Sequence, residues 1–230
     1  MKKLLFVTLF AFLITNLFAQ KSSLGSAKSA TAEKSDPKAE SILNEVNTKF
    51  ASYKSMKMDL KVTIQDGSYK EEQEAEVLVK GNKFKIVSKD QEIVSDGKKN
   101  WVYLIESNEL QISIPDPDDV GMLSSPDKLL KTYQDEFISG YMGLFKLNGK
   151  IVHKIEFKPT DKNSEYSKVA VYIDKADLSV VKIKVFDKSN IHYSIEIKNF
   201  VANPPISDSV FKFNESKVPE DNIIRLCDNC

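Results

Sequence analysis

Cysteine is almost missing from this chain. Of 230 residues only Cys227 and Cys230 carry a thiol, so a disulfide framework cannot hold the fold together. Their C-x-x-C spacing is also that of redox and metal sites. Redox use needs a helix N-terminus in a βαβ unit, and structural zinc needs two more ligands; the surrounding sequence offers neither. A local disulfide or a frayed reactive tail is the expectation. Histidine is equally scarce. His153 and His192 both fall in strand-like runs with no acid or nucleophile at motif spacing, which suits packed or rim residues better than a catalytic base. No G-x-S-x-G elbow, Gly-rich phosphate loop or H-E-x-x-H occurs. The acidic group Asp116, Asp118 and Asp119 lacks the ladder of a calcium loop and reads as a solvated Pro/Asp loop. Net charge is absent too, with 33 basic against 33 acidic residues, so no global field favours DNA or an anionic membrane. The aromatic residues are spread through the strand-like runs rather than set among Lys/Arg clusters, which argues against nucleic acid. No enzyme, cofactor or metal is expected.

Long apolar runs are missing except at the start. In MKKLLFVTLFAFLITNLFAQ, Lys2 and Lys3 precede an apolar run from Leu4 to Ile14, and small Ala19 follows. This is the layout of a secretory signal peptide, and the run falls short of the ~20 residues a bilayer anchor requires. No cysteine follows it to accept a lipid. The expected divisions are a signal peptide at 1–19, a flexible Ser/Ala/Lys-rich linker at 20–35, one binding domain at 36–226 and a tail at 227–230. The mature chain is expected in the periplasm, as a monomer. Hydrophobic residues, at 41%, suffice for a core.

What is present is alternation. Asp36-Pro37 is a helix start, and Ala39, Ile42, Leu43, Val46, Phe50 and Tyr53 recur at helical spacing. The period then switches to two. In 56-MKMDLKVTI-64, Met56, Met58, Leu60, Val62 and Ile64 alternate with polar residues. Strand-like runs follow at 72–80, 83–88, 91–95, 100–106 and 109–114, separated by turns such as Gly81-Asn82 and Asp96-Gly97. Spacers this short join antiparallel neighbours only. After the Pro/Asp loop a short helix is expected from Ser125-Pro126, with Leu129, Leu130 and Tyr133 on one face, then an apolar Gly-containing stretch from Phe137 to Phe145. Strands resume at 151–159, 168–174, 179–187 and 191–200, and the segment ISDSVFKFNES offers a last one. The fold class is mainly β (α+β): a curled antiparallel half-barrel of roughly ten to eleven strands with an N-terminal helix and a mid-chain helical lid. If the helices fill its apolar side incompletely, the remainder is a cavity for an apolar ligand, and adaptable methionines suit a variable one.

The segment 94-VSDGKKNWVY-103 resembles the most recognisable part of the LolA family, the periplasmic carriers of outer-membrane lipoproteins. AEVLVKGNKFKI (75–86) and DSVFKF near residue 213 resemble the family in the same order, so the likeness spans roughly 36–225. The resemblance implies a hydrophobic concavity under a helical lid and no catalysis. It implies acylated lipoproteins as cargo, an inner-membrane ABC-type complex as donor and an outer-membrane acceptor. Candidate cavity residues are Met56, Met58, Leu60, Val62, Val77, Val79, Phe84, Ile86, Trp101, Tyr103 and Ile112, with Met122, Leu123, Leu129, Leu130 and Tyr133 at the opening and in the lid. The hairpin Asp96-Gly97 is expected to supply positive φ, and the face of Trp101, Tyr103 and Ile105 to line the cavity or its rim. Family members often carry Arg-Pro after the second strand; this chain has Gly81-Asn82 with Lys80 before it, a weak substitute. An envelope sensor on the same fold, binding a lipid or a partner protein, is the alternative; a third and less favoured reading, an exported enzyme, would need a convergent polar site in the concavity.

Overall fold

Asp36 starts the structure as the sequence suggests. Its carboxylate accepts from the backbone N–H groups of Lys38 (2.7 Å) and Ala39 (3.3 Å), capping α1 (Pro37–Ala51), with proline at the first helical position where no N–H is needed. The structure, a computed structural model, describes residues 34–115 and 137–227. The signal peptide, nearly all of the linker, the acidic loop, the expected lid helix and Cys230 lie outside the described residues.

Among the described residues twelve strands follow α1: β1 (Ser55–Asp66), β2 (Tyr69–Lys80), β3 (Lys83–Ser88), β4 (Gln91–Ser95), β5 (Asn100–Leu104), β6 (Glu109–Ser113), β7 (Phe137–Leu147), β8 (Lys150–Pro159), β9 (Tyr166–Asp174), β10 (Val180–Asp187), β11 (Ile191–Ala202) and β12 (Ile223–Arg225). They form one curled, unclosed sheet in the order β12-β6-β5-β4-β3-β2-β1-β11-β10-β9-β8-β7. Two meanders, β1–β6 and β7–β11, are thus joined side by side through the antiparallel pair β1/β11. The half-barrel expectation holds, with two strands beyond the ten periodic runs. Phe137–Leu147 is strand rather than an undefined apolar stretch. The tail differs more: Asp208–Phe211 and Glu215–Lys217 are single 3₁₀ turns, and only Ile223–Arg225 pairs, in parallel, with β6.

Pairing register assigns two faces, because residues directly opposite on neighbouring strands point the same way. On the inner face Met56, Met58 and Leu60 lie opposite Val79, Val77 and Ala75; Val79 and Val77 lie opposite Phe84 and Ile86; Ile86 lies opposite Ile93. This face forms one cluster with Ala39, Ile42 and Val46 of α1. The helix crosses the strands from β7 to β11. At its start Asp36 N–H bonds to the Ser139 carbonyl (2.8 Å) and Lys38 lies over the Tyr141 ring; at its end Lys49 reaches the Asp177 carbonyl, and Phe50 and Tyr53 stack with Phe200.

The outer face is charged over most of its width. Lys57 pairs with Glu76, Lys61 with Glu72 (2.8 Å), Lys85 with Glu92 (2.7 Å), and Lys182 and Lys198 both with Glu196 (2.7 Å each). Such surface pairs add little stability, about 0–1 kcal/mol each, but keep this face wetted and set which side is in. The hydrogen bonds from Lys182 and Lys198 hold the Glu196 carboxyl at about 2 against an ordinary 4.5. A carboxyl lowered by folding stabilises fully above its unfolded pKa and loses that contribution as pH falls through its folded one. The Glu196 contribution is therefore complete at neutral pH, declines below 4.5 and is gone below about 2. Urea melts should separate wild type from Glu196→Gln at pH 7 and show the gap closing between these values; a gap unchanged across that window would contradict it.

At β4–β6 the outer face turns apolar, and there the C-terminal tail covers it. Val94, Trp101, Leu110 and Ile112 pack with Phe213 and Val218. The Trp101 indole N–H donates to Glu215 (2.8 Å), the Tyr103 ring lies 5.4 Å from that of Phe213, and Lys80 (2.8 Å) and Lys83 (3.1 Å) both grip Asp208. This corrects the placement of Trp101, Tyr103 and Ile112: they are on the side opposite α1. The reason is that β5 is apolar on both faces, and its register puts Val102, not Trp101, opposite Ile93 on the inner side. Ile105 lies past the end of β5 in an exposed turn. The β4–β5 connection is also less symmetrical than Asp96-Gly97 suggested. Only Gly97 has positive φ (+83°), while the Asp96 carboxylate accepts from the N–H groups of Lys98 and Lys99 (2.8 Å each). A Cβ on Gly97 would also sit 2.2 Å from the Asn82 side chain of the β2–β3 turn.

Candidate ligand-binding face

The inner face is not uniformly buried. One row runs in register across five strands: Ile155 opposite Val171, Val171 opposite Ile183, Ile183 opposite Ile195, and Ile195 opposite Val62. Its end members are sealed, Ile155 at 0% and Val62 at 2% exposure, but Val171, Ile183 and Ile195 between them are only half-buried. The next pair toward α1, Ile197 opposite Leu60, is also half-buried. On the far side, Phe157, Val169, Val185, Tyr193 and Ile64 form a sealed parallel row. The centre of the concave side is therefore an apolar strip of β-branched and leucine side chains, with the half-buried Phe50–Tyr53–Phe200 aromatic group beside it under α1.

Two phenols and an imidazole beside this strip are neutral. Burial pushes the Tyr166 and Tyr193 phenols up to about 12. His153 sits at the β7 side, 3.0 Å from the Tyr141 hydroxyl; burial chiefly, with Lys38 and Lys175 nearby, lowers its pKa, so it is uncharged near neutrality. Gln91, on the inner side opposite Leu104, is 1% exposed with neither side-chain amide atom hydrogen-bonded. Such a surface can hold an extended hydrocarbon chain by exclusion of water, and it places no ionised group within the strip itself.

Of the residues expected to line the cavity, Met56, Met58, Leu60, Val62, Val77, Val79, Phe84 and Ile86 do share the inner face. Only Leu60 and Phe84 among them keep partly exposed surface; the rest are sealed wall. Trp101, Tyr103 and Ile112 belong to the outer face, and Met122, Leu123, Leu129, Leu130 and Tyr133 lie outside the described residues. Lys80, weighed against the family's arginine, points outward and is occupied by the Ile206 carbonyl (2.9 Å) and Asp208. Cys227 is not a free thiol and lies beside the Ile112 carbonyl on the outer β12 edge. The strip itself, Val171, Ile183, Ile195 and Ile197, was missed. Its signal was present in the alternation of KVAVYID, SVVKIKVFD and IHYSIEIKNF, but nothing local says that these apolar faces meet in the middle of the sheet.

A curled sheet with an apolar, partly exposed inner face and an N-terminal helix across it is also the setting in which the sequence comparisons fall. The family described as "Outer membrane lipoprotein carrier protein LolA" matches residues 51–214. The chain belongs to the LolA family. That match contains the whole aligned strip and the Trp101 hairpin, and it ends within the tail that covers Trp101. No curated protein matches the chain significantly. Among solved structures, an uncharacterized conserved protein from Thermus thermophilus is similar at 15% identity and a TM-score of 0.54, over 82% of this chain and 99% of that one. A LolA superfamily protein from Nitrosomonas europaea is similar at 12% identity and 0.39, over 76% and 97%. The Pseudomonas aeruginosa MucA/MucB complex contains a further similar chain, at 12% identity and 0.47, over 77% and 61%. At these identities the likeness is one of fold. Among the described residues no helix is long and apolar enough to cross a membrane.

Proposed function

We propose that the chain is a periplasmic carrier which takes the acyl chains of lipoproteins along the Val171–Ile183–Ile195 strip. It receives them from an inner-membrane ABC-type release complex and yields them to an outer-membrane acceptor. The observation that carries this reading is the strip: apolar, central, half-buried and aligned in register across β9–β11 of a LolA-family sheet. Transfer of hydrocarbon from water is worth ~0.8 kcal/mol per methylene, so one long chain could exceed ~10 kcal/mol if the wall were fully hydrated beforehand. A wall already half covered has less water left to release, so the net affinity is lower. That suits a protein which must also let its cargo go.

The test is mass spectrometry of what co-purifies with the chain from the periplasm. The expected result is acylated protein in near-stoichiometric amount. Recovery of a partner lacking acyl chains would replace the carrier with an envelope sensor on the same fold, and recovery of neither would remove both.

A further inference from the structure

The sheet's last strand carries a feature the groove does not use. Four large apolar side chains left open to solvent fall within residues 142–151: Met142 (49% exposed), Leu144 (48%), Phe145 (43%) and Ile151 (47%). They sit on β7, the terminal strand of the sheet order, and on the start of β8. Exposed clusters of this kind are uncommon and mark contact surfaces.

Their register places them on both sides of the edge. Leu144 is opposite His153 and Ile151 opposite Lys146, all on the inner face, while Phe145 is opposite Val152 on the outer one. A flat partner would cover one face only; an apolar wedge with both faces wettable by hydrocarbon suits a fluid phase. A partner strand is disfavoured for a second reason. The ladder slips between Tyr141 and Gly143, where Gly143 has φ +107°, and such a bulge breaks the regular edge that a pairing strand needs. Charge decides the kind of surface. Lys146 and Lys150 flank the hairpin turn, Lys154 lies 5.5 Å from the Phe145 ring, and Lys175 on the next turn is tied to the hairpin through its N–H bond to the Ile151 carbonyl (2.9 Å). Lys150 and Lys154 are offset by Asp174 and Glu156, which leaves Lys146 and Lys175 without an ion pair among the described residues. Lysines beside exposed apolar side chains are how a shallow, reversible contact with anionic lipid is built.

We propose that the β7–β8 hairpin is a membrane-surface contact, dipping Leu144, Phe145, Met142 and Ile151 into the interface of an anionic bilayer with Lys146 and Lys175 at the headgroups. Because Leu144 and Ile151 lie on the inner face, one and two rows from Ile155, such contact sets the rim of the groove against lipid. The proposal concerns the edge of the sheet and does not depend on what the groove holds.

The experiment is co-sedimentation of the full chain with vesicles of phosphatidylethanolamine and phosphatidylglycerol, and with vesicles of phosphatidylcholine alone. Wild type should partition onto the anionic vesicles and weaken as salt rises. The double variant Leu144→Asp/Phe145→Asp should partition at least about tenfold less. A second pair, Lys146→Glu/Lys175→Glu, changes two exposed side chains, one near the end of β7 and one in the β9–β10 turn, and should lose about tenfold on anionic vesicles alone. Failure of wild type to bind the anionic vesicles, or equal binding by either double variant with its melting temperature unchanged, overturns the proposal. So does equal binding of wild type to both vesicle types.

Discussion

Ile183→Lys should weaken binding of a fluorescent fatty-acyl probe to the delipidated chain by about a hundredfold or more, while the sheet remains folded. Ile183 stands in the middle of the strip, with Val171 on one side and Ile195 on the other. An ammonium there keeps some water while the groove is empty, because the site is half open and the lysine stem can lie along its apolar neighbours. An acyl chain laid across it strips that water away, and the several kcal/mol this costs falls on the ligand-bound state alone. The melting temperature should fall only modestly. The control is one residue removed in register: Ser194→Lys lies opposite Lys184 on the outer face, and probe affinity should match wild type. Equal losses in both variants would mean that the effect is general destabilisation, and no loss in Ile183→Lys would mean that acyl chains do not pass through this strip.

The largest stability effect should come from Trp101→Ala, at about 3–5 kcal/mol. Trp101 is 6% exposed, packs among Val94, Leu110, Ile112 and Phe213, and satisfies Glu215 through its indole N–H. Removing it leaves a cavity under the tail and an acceptor without its donor. A domain of this size should lose about 10 °C in melting temperature or more. Since the residue lies on the outer face, acyl-probe affinity measured well below the transition should be retained within about threefold; a loss as large as that of Ile183→Lys would return Trp101 to the groove. As the chain's one tryptophan, it should also report tail docking. Glu215→Gln should shift its emission more than saturating ligand does.

Much of this architecture was legible because its signals are local. The Asp36-Pro37 start and the 3.6 period set α1, the period-2 alternation of MKMDLKVTI set β1, and short turns forced antiparallel neighbours. β7 was harder. Glycine at 140 and 143 and a bulge interrupt its alternation, so FISGYMGLF has no clear period although it pairs with β8 along its length. The tail was misjudged because Phe211 and Phe213 read as strand residues, whereas Phe211 is fully buried at the end of a 3₁₀ turn and Phe213 packs against Trp101 and Tyr103, more than a hundred residues earlier.

The groove divides along the same line. Alternation alone determined that each strand has an apolar side, and which residues share it. For β1 the other side is Lys57, Asp59 and Lys61, so inside and outside were already distinguishable. For β5 they were not, because Trp101/Tyr103 and Val102/Leu104 are both apolar sets. Only the tertiary structure decided between them. Pairing with β4 turned Val102 inward, and a tail distant in sequence covered Trp101. Likewise, each of Val171, Ile183 and Ile195 was visible as an apolar strand residue, but their alignment into one half-buried strip depends on the registers of two separate strand pairs and on where α1 stops covering them. A period of two specifies a face; it takes the closing of β1 onto β11, across most of the chain, to specify what that face looks toward.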